Sequence, residues 1–146
     1  MSPLSHPAQL LVEGKNDLHV ILALCQKFNV VENFTIEIAG VDSGGVDELL
    51  LSIPIRLKIA RLRALGIVID ADQNSQGRWN AVRQRLIDFD YQHVPERPNP
   101  EGTIIQDDSK PRVGVWLMPN NELPGMLEDF VSYLTHLTQY MCAMRT

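Results

Sequence analysis

The chain is predicted to fold as an α/β domain, a mostly parallel sheet with helices on both faces, followed by a C-terminal hairpin and helix. Three observations predict it. Two short apolar runs, Leu10 to Val12 and Leu65 to Ile69, are too brief for amphipathic helices and close on acidic residues. Patterns of helical spacing follow each of them. Strand and helix patterns alternate three times, with connections long enough for right-handed crossovers between parallel strands.

The first strand runs into Glu13, Gly14, Lys15, Asn16 and Asp17, a turn that carries a carboxylate at its start. Leu18, Ile21, Leu22, Cys25 and Phe28 then recur at helical spacing, with Asn16 or Asp17 available to cap the start and Asn29 the end. Phe34, Ile36 and Ile38 alternate with Thr35 and Glu37 as a second strand, which Gly40, Gly44 and Gly45 end in a loop. Val46, Leu49, Leu50 and Ile53 begin a second helix; Pro54 is expected to kink or restart it, and Ile55, Ile59 and Leu62 to carry its apolar face onward. Leu65 to Ile69 is a third, buried strand closing on Asp70. Trp79, Val82 and Leu86 mark a third helix, and Tyr91 to Gly102, with Pro95, Pro98 and Pro100, reads as a loop. Thr103 to Ile105 and Val113 to Met118 form a hairpin at the sheet edge around Asp107 to Lys110, stopped by Pro119. From Pro124 and Gly125 a last helix buries Leu127, Phe130, Val131 and Leu134.

A length of 146 residues suits a single domain, 1–146, that needs no disulfide or metal staple. The net charge of −5 argues against coating nucleic acid by bulk electrostatics and leaves room for local basic patches. Cys25 and Cys142 lack the spacing of a zinc site or disulfide framework, so reduced thiols and a cytoplasmic setting are expected. No apolar run approaches the roughly 20 residues that span a bilayer, so no membrane is expected as a partner.

Ligands of open α/β sheets bind beyond the carboxyl ends of the strands. Parallel pairing would bring Glu13, after the first strand, to the same edge as Asp70 and Asp72, after the third. Mg²⁺ is held by one or two carboxylates with waters and substrate phosphates, and aspartates two apart would share one side of an extended strand end. Taken singly, each is equally a polar residue ending a strand.

Together, Glu13-Gly14-Lys15-Asn16-Asp17 after a first strand and Asp70-Ala71-Asp72 after a third resemble the toprim domain of topoisomerases, primases and small nucleases, from about Gln9 to Leu86. The resemblance implies a Rossmann-like sheet, and it implies Mg²⁺, or Mn²⁺, bound by Glu13, Asp70 and Asp72, with Glu13 as general acid or base and Asp17 behind them. Topoisomerase-like members often carry a third acidic residue where this chain has Asn74. Gly125-Met126-Leu127-Glu128-Asp129 is instead similar to the late acidic motif of overcoming-lysogenization-defect nucleases, which makes Glu128 a further metal ligand. Glu128 and Asp129 also suit a helix start as plain dipole-complementing charges.

Seven of the 13 Lys and Arg residues lie between Arg56 and Arg85: Arg56, Lys58, Arg61, Arg63, Arg78, Arg83 and Arg85. Such a stripe would steer a polyanion to the metal edge, or simply be a solvated face. Arg78 is the best-placed phosphate contact, and Lys15 follows, beside Glu13. Trp79 and Trp116 sit in apolar patterns and read as core rather than as a base-stacking platform. Gly14-Lys15 lacks the glycine frame of a P-loop, and four scattered histidines define no catalytic triad. The expected function is Mg²⁺-dependent phosphodiester cleavage of DNA or RNA, with a protein partner or a second copy assisting. The alternative is a non-catalytic metal- or nucleotide-binding regulatory module.

Overall fold

A computed structural model describes residues 7–31, 33–39, 45–118 and 121. Along them run β1 (Ala8–Val12), α1 (Lys15–Lys27), β2 (Thr35–Ile38), α2 (Val46–Leu57), β3 (Ala64–Asp70), α3 (Ser75–Asp88), β4 (Thr103–Ile105) and β5 (Arg112–Met118). The helix expected after Pro124, and Glu128 with it, lie outside the described residues.

The strands form one sheet in the order β2-β1-β3-β5-β4. β1, β2, β3 and β5 are mutually parallel, and β4 pairs antiparallel with β5 at the edge. The α/β architecture and the edge hairpin are as the sequence predicts. From β1 the chain steps to one side to make β2, then returns past β1 to make β3. Right-handed crossovers therefore put α1 on one face and α2 and α3 on the other. The core follows this division. Leu11, Leu65, Ile67, Ile69, Val113, Val115 and Leu117 pack under Leu49, Ile53 and Leu57 of α2 and Trp79, Val82 and Leu86 of α3. Val12, Val68 and Met118 face the other way, with Leu18, Ile36, Ile38 and Trp116.

The apolar face of α2 does not pass through Ile55 as expected. α2 runs through Pro54 to Leu57 and keeps Leu49, Ile53 and Leu57 in unbroken four-residue register, so Leu57 turns inward. Ile55, two positions from Ile53, falls on the opposite side and is 67% exposed. Trp79 is fully buried, as expected, and Trp116 is partly buried, packed against the Val12, Val68 and Met118 cluster on the other face.

The hairpin is tied to the rest by Tyr91, buried after α3, whose hydroxyl donates to the carbonyl of Pro111 at 2.6 Å. Burial, with the nearby Asp107 carboxylate, pushes the phenol from 10.0 up to about 12. The folded protein thus binds this proton more tightly than the unfolded chain, so stability is expected to fall as pH rises from about 10 towards 12. Tyr91→Phe should remove that alkaline slope and cost about 1 kcal/mol at neutral pH, read by urea unfolding across the pH series.

Candidate active site

The strand order reverses at β1, and open α/β sheets bind ligands beyond the carboxyl ends of the strands at such a point. Glu13 follows β1 directly and Asp70 is the last residue of β3. The structure joins them: Glu13 Oε1 accepts the backbone N–H of Asp70 at 3.2 Å. Desolvation by burial pushes the Glu13 carboxyl above its ordinary value; the Asp70 N–H works against that shift, Asp17 adds to it, Arg78 opposes it and Asp72 adds to it. Among the described residues those four groups are the electrostatic surroundings of Glu13.

Asp17 is buried, and its Oδ2 accepts the N–H of Gly14 at 3.1 Å. Gly14 is the N-cap of α1, so Asp17 closes the first turn from its third helical position rather than capping the start itself. It thereby fixes the turn that carries Glu13. Lys15 opens α1 and is exposed, with no hydrogen bond or ion pair among the described residues.

Asp72 does not continue the alternation expected of a strand end. β3 stops at Asp70, Ala71 is fully buried and donates its N–H to Met118 O, and Asp72 takes a left-handed φ of 55°. Aspartate and asparagine tolerate that conformation better than other residues with a Cβ. The turn brings Asp72 Oδ2 within 3.3 Å of the Arg78 guanidinium, in a half-exposed pair that contributes little to stability. Glu13 and Asp70 therefore adjoin directly, and Asp72 joins them through Arg78 and through the field at Glu13. Among the described residues no group of three or more His, Cys, Asp and Glu is arranged to hold a metal.

Asn74, the departure from the topoisomerase-like pattern, has a structural task. It is the N-cap of α3, its Oδ1 accepting the N–H of Gly77 at 2.9 Å. Asn74→Ala is expected to cost about 1 kcal/mol, and Asn74→Asp far less, by thermal unfolding.

The basic stripe divides. Arg56, Lys58, Arg61 and Arg63 lie between the end of α2 and the start of β3, at the edge opposite Asp70, and Arg56 is engaged there with Gln9 at 3.1 Å and Glu37 at 3.8 Å. Only Arg78, Arg83 and Arg85 sit on α3. Parallel strands impose this separation, since residues before and after one strand fall on opposite edges.

One feature had no sequence signal. A cavity of about 630 Å³ on the other flank of α3 is lined by Ser75, Gln76, Asn80, Arg83, Glu96, Arg97, Pro98 and Asn121. It is assembled across the proline-rich segment, which carries no periodic pattern.

No curated protein and no solved structure matches the chain. One family model matches residues 7–145, under the description "Protein of unknown function (DUF3226)". The chain, matched over nearly its whole length, belongs to that family.

Proposed function

We propose that the protein is a toprim-like, Mg²⁺-dependent phosphodiesterase that cleaves a nucleic acid beyond the carboxyl ends of β1 and β3. The observation that carries the reading is the hydrogen bond from the Asp70 backbone N–H to Glu13 Oε1, which ties the Glu13 carboxylate to the end of β3 at the switch point of the sheet. Glu13 with Asp70, or Asp72, would supply the one or two carboxylates that a hard cation needs besides water and phosphate. We assign Mg²⁺, or Mn²⁺, to that set, with Glu128 as a further ligand by the resemblance. The ion would polarise a phosphoryl oxygen and activate water.

Within this reading Glu13 is the proton carrier. Oε1 is occupied by the Asp70 N–H, leaving Oε2 to exchange a proton, and burial brings the group nearer to neutrality than a free carboxylate. Arg78, beside Asp72 and felt by Glu13, offers its guanidinium to a non-bridging phosphate oxygen. Lys15, exposed at the start of α1, adds positive charge to the approach. A cytoplasmic setting goes with this reading, in keeping with Cys25 as a buried free thiol.

The test incubates the purified protein with supercoiled plasmid, single-stranded DNA and structured RNA in Mg²⁺ or Mn²⁺. Cleavage by the wild type, lost in Glu13→Gln and Asp70→Asn, is the expected result. Cleavage that survives both substitutions would overturn the assignment, and metal or nucleotide binding without cleavage would favour a regulatory module.

A further inference from the structure

We propose that the cavity on the far flank of α3 seats one nucleotide of a strand whose scissile phosphodiester lies, a few nucleotides along, at the carboxylate rim. This deepens the proposed function and rests on it for the identity of the strand. Its volume of about 630 Å³ is within the usual range for a small-molecule site and is ample for a nucleotide.

The lining specifies the ligand class. Among the described residues Arg83 spends only its Nε, donating to Pro95 O at 3.1 Å, and both terminal nitrogens are unused there. Among the described residues neither Arg83 nor Arg97 forms an ion pair, whereas Arg78 is already engaged with Asp72. Two open guanidinium forks in one cavity match the paired oxygens of a phosphate. Beside them, Gln76 uses its amide nitrogen on Asn80 Oδ1 and Glu96 O, both at 3.0 Å. Among the described residues that leaves Gln76 Oε1 as an acceptor and Asn80 Nδ2 as a donor, a pair suited to a base edge. The Glu96 carboxylate would repel a phosphate but accepts well from a sugar hydroxyl or a base amine. The lining thus provides for a whole nucleotide rather than a bare anion.

Position ties the cavity to the rim. Gly77, Arg78 and Ala81 border the Asp72 side of α3, while Gln76, Asn80 and Arg83 border the cavity on the other. A helix with its side chains is about 10–12 Å across, a span an extended strand crosses in a few nucleotides. Asn121 closes the floor: it is buried, accepts from Leu117 N–H at 2.8 Å and donates to Pro100 O at 3.1 Å.

The experiment measures binding of a short labelled single-stranded oligonucleotide to Glu13→Gln protein by fluorescence anisotropy over a salt series. Onto that background go Arg97→Ala, Arg83→Ala with Arg97→Ala, and Arg112→Ala at the opposite sheet edge as control. Arg97 is exposed and makes no hydrogen bond or ion pair among the described residues, so its single variant tests the cavity without threatening the fold. Each cavity arginine removed should reduce the slope of log K against log salt by about 0.7, or about 1.4 for the pair, with Arg112→Ala unchanged. Unaltered slopes in both cavity variants, no oligonucleotide binding, or displacement of the strand by an equal concentration of mononucleotide would each overturn the proposal. Wild-type cleavage of the same oligonucleotide is scored separately. Arginine-dependent binding without cleavage would support this site and sink the nuclease reading; cleavage with arginine-independent binding would do the reverse.

Discussion

Glu13→Gln is expected to lower the proposed metal-dependent cleavage by about 10²–10⁴-fold while leaving the fold intact and more stable at neutral pH. Glutamine keeps a carbonyl oxygen for the Asp70 N–H and removes a charge from a half-buried position. Because burial raises the Glu13 pKa, the folded protein holds that proton more tightly than the unfolded chain does. The stability from this linkage is full below the ordinary value of 4.5 and is lost as pH rises through the folded pKa. The variant should therefore gain on the wild type above that window and not below it. Thermal unfolding at acid and neutral pH, beside a cleavage assay, reads both halves. A purely structural carboxylate predicts no loss of cleavage; a charge tolerated at a stability cost for the sake of chemistry predicts the two effects together.

Trp79→Ala is expected to have the largest effect on stability, about 3–5 kcal/mol, because the indole is fully buried between α3 and the sheet. Against a typical domain stability of about 5–15 kcal/mol, that is a large fraction of the total. Packing is only part of the loss. Trp79 Nε1 donates to Pro95 O at 3.1 Å, the same carbonyl that receives Arg83 Nε. Trp79→Phe keeps most of the ring and removes the donor, so it should cost about 1–2 kcal/mol, with Arg83 still holding the carbonyl. Hydrogen exchange should then rise around residues 95–98 before it rises in the sheet.

The sequence made some of this legible for definite reasons. Leu65 to Ile69 announces a strand covered on both faces, and Glu13 and Asp70 announce the ends of parallel strands; their meeting follows from topology alone. Other features depend on what a one-dimensional pattern does not hold. The left-handed turn at Asp72 is a backbone choice that two further contacts enforce, so the expected alternation ended two residues early. Ile55 and Leu57 look alike as apolar residues after a proline, and only an unbroken helix decides which faces the core. The basic residues read as one stripe because they are close in sequence, yet β3 carries them to opposite edges. The cavity joins α3 to Glu96 and Arg97 across the chain reversal after Asp88, where spacing carries no information.

The contact between Glu13 and Asp70 spans 57 positions of chain. No peptide that stops short of β3 can assemble the pair, and a growing polypeptide acquires it only after that strand has been made and has docked beside β1. Because β5 completes the partner register of Asp70 through Met118, the rim is braced by a strand that arrives later still. Cleaving power, on this account, is withheld from every unfinished copy of the molecule.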